Sequence, residues 1–108
     1  MRSYLIFWPI LAIAGDLNLV GLSRQLTTPR TGDIADETAF GPDFAPDWDG
    51  SPLADLVSSQ TEKRFAYTWR NDASTFAPGR LDFCIYSDSV VAVANHFILY
   101  TPEMSAGQ

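Results

Sequence analysis

Asp16 and Asn18 stand two residues apart in Gly15-Asp16-Leu17-Asn18, directly behind the apolar run from Tyr4 to Ala14. Gly, Asp and Asn close strands, because they tolerate turn dihedrals and their short side chains bond nearby backbone amides. The same placement, a carboxylate at the end of a strand, also suits a catalytic edge. A second carboxylate lies in Leu81-Asp82-Phe83-Cys84-Ile85-Tyr86. Period-two alternation turns Asp82 away from the face carrying Leu81, Phe83 and Ile85. In a two-sided sandwich that second face is covered as well, and burial raises a carboxyl pKa unless a cation or donor compensates. Asp82 therefore needs a partner, and Arg70 and Arg80 are the candidates for an ordinary ion pair.

Three further residue sets invite chemistry and carry less of it. His96 is the only histidine and lies in Val93-Ala94-Asn95-His96-Phe97-Ile98-Leu99, which reads as a structural strand. Cys84 is the only cysteine, so an internal disulfide and a multi-cysteine zinc site are excluded; in its apolar run the thiol reads as a small hydrophobe. Asp47-Trp48-Asp49-Gly50 is compatible with calcium, but Ser51-Pro52 follows where a calcium loop needs its sixth-position glycine, and no glutamate closes it at position twelve. A solvated acidic loop explains the same residues.

The elements that must position these groups follow from periodicity and turn chemistry. The apolar run over 4–14 has two readings, a signal peptide ending at Ala12-Ile13-Ala14 or a buried strand stopped by Gly15-Asp16, and it is too short to span a bilayer. Leu19, Leu22 and Leu26 are spaced for a short helix over 19–27, with Asp16 or Asn18 at its N-terminus as a cap. Residues 31–62 hold eight of the thirteen acids, no Lys or Arg, and Pro42, Pro46 and Pro52, which reads as a long loop. Phe40, Phe44, Trp48 and Leu53 within it are expected to pack it down on the domain. Alternation predicts strands over 65–70 and 81–86, joined as an antiparallel pair through the turn-rich 71–79. A third strand is expected over 90–100, broken near Asn95-His96 and ended by Pro102.

Composition bounds the classes. The chain has 108 residues, 46% apolar, with a net charge of −6. It is long enough for one small domain or part of a larger one, and too acidic for non-specific attraction to nucleic acid phosphates.

Three blocks, Ala14-Gly-Asp-Leu-Asn-Leu-Val-Gly21, Tyr67-Thr-Trp-Arg-Asn71 and Gly79-Arg-Leu-Asp-Phe-Cys-Ile-Tyr-Ser-Asp-Ser89, occur in this order. In them the chain resembles the endonuclease/exonuclease/phosphatase superfamily with its DNase I-like fold, and residues 32–56 are similar to the middle of large bacterial members without an assigned substrate. The resemblance implies an α+β fold, part of a two-sheet sandwich with flanking helices that takes about 250 residues in full. It implies Mg²⁺- or Mn²⁺-dependent attack of water on a phosphoester, in a nucleic acid or a smaller molecule. Asp16 would then orient or deprotonate the water and touch the metal. Asn18 and Arg70 would bind substrate, with Asn18 bonding a phosphate oxygen from the same side of the extended chain as Asp16. Asp82 would pair with a catalytic histidine. The upstream metal-binding glutamate, the other histidine and the closing Ser-Asp-His of such proteins have no counterpart here, and His96 lacks the flanking residues to replace them. The expectation is a fragment or truncated product, inactive alone, whose exposed sheet needs the missing half or another chain to cover it. The competing expectation is a secreted, non-catalytic binding module that has lost its first fourteen residues.

Overall fold

The alternating segment at Leu81–Tyr86 folds as expected, and the rest of the sheet assembles around it. A computed structural model describes residues 10–19, 23–61, 63–105 and 107. Three strands, β1 (Ala12–Asp16), β2 (Ala54–Asp55) and β3 (Asp82–Tyr86), form an antiparallel sheet in the order β1-β3-β2. Two helices, α1 (Arg24–Thr31) and α2 (Glu37–Phe40), lie between β1 and β2, and a 3₁₀ turn at Thr101–Glu103 follows β3. The chain is thus a small protein of mixed α and β content with an antiparallel sheet.

The core lies on one face of the sheet. Phe83 and Ile85 project from β3 to one side and are buried, and Leu53, one residue before β2, is fully buried with them. Its amide donates to Arg30 O at 2.8 Å, which ties the end of α1 to the start of β2. Arg80 and Asp55 roof this face. Two hydrogen bonds of 3.1 and 2.6 Å join them in a fork, and the guanidinium carbon stands 4.1 Å from the Phe83 ring centre.

Leu53, Phe83 and Ile85 are the buried apolar side chains among the described residues, and the chain is correspondingly open. Its radius of gyration is 17.8 Å, where a compact chain of this length has about 13 Å. The accessible surface is 8320 Å², where a compact protein of 11.9 kDa has about 6,000 Å². Several expectations change for one reason: the described residues form a single sheet. Every residue of β1 is exposed, so the part of the 4–14 run that is described forms a strand without being buried; residues 4–9 lie outside the described residues. In the acidic loop Leu53 packs down, whereas Phe40 and Phe44 stay 80% and 79% exposed.

The helix expected over 19–27 lies further along, at Arg24–Thr31, with Leu22 outside the described residues. Neither Asp16 nor Asn18 caps it; Ser23 is the N-cap and makes no side-chain bond there. The helix continues through Pro29, which removes one backbone donor. Threonine hydroxyls bond near it instead, Thr31 Oγ1 to Thr27 O at 2.7 Å and Thr28 Oγ1 to Asp33 O at 2.9 Å. Gly32 ends it in the left-handed region at φ 78°, donating to Thr28 O at 2.8 Å. A Cβ here would lie 1.8 Å from Phe44 O, so only glycine fits.

The strands expected over 65–70 and 90–100 are not regular strands. β1 pairs along the whole of β3 on one side and β2 takes Ile85 and Tyr86 on the other, so 65–70 meets only the start of β3, where Thr68 Oγ1 accepts the Leu81 and Asp82 amides in place of a backbone ladder. Its one bridge among the described residues is antiparallel, between Trp69 and Gly79, and Phe65 O and Tyr67 O accept from the Gln60 amide and side chain. Residues 90–100 contribute a single parallel bridge, Gln60 to Ile98.

Candidate functional site

The ladder brings Asp16 and Asp82, 66 positions apart in sequence, directly opposite each other at the end of the β1–β3 pair. Leu17 N–H donates to Leu81 O at 2.8 Å and Ser87 N–H donates to Leu11 O at 2.9 Å, which places the hydrogen-bonded pairs at the odd positions of β1. Asp16–Asp82 is therefore one of the narrow, non-hydrogen-bonded pairs, with Cα atoms about 4.5 Å apart and side chains on one face. That face is the one opposite Phe83 and Ile85, as alternation requires, and both carboxylates are exposed. Thr68 Oγ1 accepts from the amides of Leu81 and Asp82 at 3.0 and 3.1 Å and steers the chain into β3. Sequence reasoning passed over Thr68, whose only signal is a polar side chain between two aromatic residues.

Asp16 serves both the turn and the edge. Its Oδ1 accepts the Asn18 amide at 2.7 Å, and Asn18 adopts φ 48°, the left-handed conformation that asparagine tolerates best among residues with a Cβ. The chain is thus not extended at Asn18, and its side chain does not repeat the direction of Asp16 as expected. Asn18 lines a cavity of about 480 Å³ together with Leu19, Trp69, Phe76, Ala77, Gly79 and Leu81.

The arginines expected beside Asp82 are engaged elsewhere. Arg80 is paired with Asp55, and Arg70 forms a fork with Asp72, Nε to Oδ1 at 2.6 Å and Nη2 to Oδ2 at 3.0 Å. Arg70 lines a separate cavity of about 360 Å³ with Tyr67 and Tyr100, whose walls do not include Asp16, Asn18 or Asp82. There its guanidinium holds the Asp72 carboxyl below the ordinary aspartate value and pulls the Tyr67 phenol down as well. Asp82 is exposed, so the desolvation that called for a cation does not arise; the two carboxylates meet each other instead.

His96 is exposed, outside any strand, with Nδ1 3.0 Å from Ser58 Oγ. Ser58 lines a hollow of about 210 Å³ with Asp82, Cys84 and Leu56.

In the acidic loop Asp36, Asp43, Asp47 and Asp49 turn onto backbone amides of the loop itself, while Asp33 and Asp55 pair with Arg24 and Arg80. Asp47 is buried, accepting the Trp48 amide at 2.8 Å. Asp49 accepts the Ser51 hydroxyl at 2.6 Å and the Ser51 amide at 3.0 Å, which lowers its pKa. The Asp47–Gly50 segment is a turn, not a calcium loop. Among the described residues, no group of three or more His, Cys, Asp or Glu side chains converges.

The carboxylates that the ladder brings face to face are Asp16 and Asp82. Among the described residues no cation pairs with either. A pair of carboxylates could hold an ion such as Mg²⁺, which takes one or two carboxylates and fills its other positions with water and substrate phosphate.

No helix among the described residues is long and apolar enough to cross a membrane. No protein-family model, curated protein or solved structure matches the chain.

Proposed function

We propose that the Asp16–Asp82 pair and Asn18 form part of a metal-dependent phosphoesterase site of the DNase I-like kind. The observation that carries the reading is the register of β1 on β3. It sets two carboxylates from distant parts of the chain face to face at one strand end, a costly arrangement for like charges unless a cation joins them. Beside them Asn18 is fixed by the Asp16 carboxylate.

Each side chain then has a role. Asp16 spends one oxygen partly on the Asn18 amide and keeps Oδ2 to accept a proton from water. The Asn18 carboxamide donates to a phosphate oxygen, where charge grows during attack. Asp82, expected beside a histidine, stands opposite Asp16 instead and would supply a second carboxylate for the ion. A bound Mg²⁺ or Mn²⁺ would neutralise phosphate oxygens and polarise the phosphorus. The described residues offer no further ligand and no free cation beside the pair, so the reading is of a partial site that binds ion and ester, with hydrolysis depending on groups from elsewhere. The large uncovered apolar surface supports the same reading, since further protein is needed to cover it.

Manganese tests this directly. In amide NMR spectra, substoichiometric Mn²⁺ is expected to broaden Asp16, Leu17, Asn18 and Asp82 first, and Asp16→Asn or Asp82→Asn to abolish that pattern. Broadening confined to Asp33–Asp49 in the acidic loop would refute the site.

A further inference from the structure

The cavity beside Asn18 is built differently from the polar one beside Arg70. Leu19, Trp69, Phe76, Ala77 and Leu81 give it an apolar wall, and Asn18 stands at its rim. Its volume of about 480 Å³ is in the range of small-molecule sites. The wall is fixed where it matters, because Trp69 and Gly79 exchange two backbone hydrogen bonds of 3.0 Å. Phe76 closes it from a turn whose amide is held by Ser74 Oγ at 3.1 Å, yet the ring is 62% exposed. The cavity reaches the acid pair through Asn18, whose amide is bonded to Asp16; Asp82 turns to the face opposite Leu81 and lines a different hollow.

We propose that this cavity holds a small aryl substituent of the phosphoester whose phosphate Asn18 contacts, an inference that rests on the phosphoesterase reading above. Position argues for it, since a group in the cavity would place an attached phosphate at Asn18, whose amide lies 2.7 Å from the Asp16 carboxylate. Charge argues against a polynucleotide. Its flanking phosphates would need cations, and the walls of this cavity carry no Lys or Arg.

The test uses the full chain in millimolar Mg²⁺ and three probes, phenylphosphonate, methylphosphonate and benzyl alcohol, titrated by amide NMR. Phenylphosphonate is expected to shift Leu19, Trp69, Phe76 and Leu81 and to bind about tenfold more tightly than methylphosphonate. Phe76→Ala should remove most of that advantage and leave methylphosphonate unchanged; the exposed ring makes this a mild change for the fold. Equal affinity for the two phosphonates would overturn the aryl pocket and leave the phosphoesterase reading standing. Equal affinity for phenylphosphonate and benzyl alcohol would show that phosphate contributes nothing, and would overturn both. Absence of shifts with all three probes would also overturn both, and tighter binding of a thymidine oligonucleotide than of phenylphosphonate would overturn the aryl assignment.

Discussion

Replacing Asp82 with asparagine should stabilise the chain in a metal-free buffer and remove its response to Mg²⁺. Asp16 and Asp82 face each other in a narrow pair. With carboxylate charges about 5 Å apart in an environment close to water, their repulsion is about 0.8 kcal/mol. That agrees with the range of roughly 0.2–1 kcal/mol for directly opposed cross-strand pairs. The amide keeps the shape of the side chain, and the Thr68 bond to the residue 82 backbone survives because it uses only N–H. Asp82→Asn is therefore expected to raise Tm by about 3–6 °C in EDTA at low salt, taking about 4–8 °C per kcal/mol for a chain of this size. At about 1 M salt the Debye length falls to about 3 Å, and the difference should shrink below about 1 °C. Wild type should gain stability from Mg²⁺, and Asp82→Asn should not, so the order of the two proteins reverses on adding the ion. Differential scanning fluorimetry in EDTA and in Mg²⁺, each at two salt concentrations, reads all four arms. An unchanged or lowered Tm for Asp82→Asn in EDTA would refute the reasoning, because it would mean that the carboxylates do not feel each other.

Gly32→Ala should be among the most damaging small substitutions. The left-handed φ costs about 1 kcal/mol, and the new Cβ must displace Phe44 O from 1.8 Å, breaking the 3.0 Å bond from Phe44 N–H to Gly32 O. Loss of α1 ellipticity and a urea midpoint at least about 1 M lower are expected; a midpoint within error of wild type would contradict the packing of α1 on the loop. Arg80→Ala removes both a forked ion pair with side chains 21% and 17% exposed and a cation over the Phe83 ring, and should cost about 2 kcal/mol by urea unfolding. A cost below about 0.5 kcal/mol would show the pair to be no better than a surface one. The Asp72 carboxyl, held down by Arg70, contributes stability that is present above its unfolded pKa and lost as the pH falls through the lower folded value. Its ¹³C titration should move upward to the ordinary aspartate position in Arg70→Ala, and an unmoved midpoint would mean that the fork is not populated in solution.

The sheet shows which features local pattern reaches. Alternation over Leu81–Tyr86 specified β3 and the side to which Asp82 turns, because side-chain direction in a strand depends only on parity. Gly15-Asp16-Leu17-Asn18 specified the end of β1, because the Asp16 carboxylate finds the Asn18 amide two residues away whatever surrounds it. These are short-range properties. The absence of Lys and Arg from 31–62 likewise marked the loop in which Asp36, Asp43, Asp47 and Asp49 turn onto its own backbone amides.

Tertiary structure decided the rest. A strand of period two does not say which neighbour it will pair with, and the neighbouring alternation at Phe65–Arg70 was the nearer choice. β3 pairs with β1 and β2 instead, and only that choice puts Asp82 opposite Asp16 and leaves 65–70 with one bridge. The arginines followed geometry rather than sequence proximity to Asp82. Arg70 found Asp72 two residues away, and Arg80 found Asp55 where β2 lies along β3. The end of α1 was displaced beyond Pro29 because Gly32 alone could accept the approach of Phe44 O. Sequence by itself thus determined turns, faces and charge. Only the folded chain decided which carboxylates meet, because that depends on competition among segments for a limited number of strand edges.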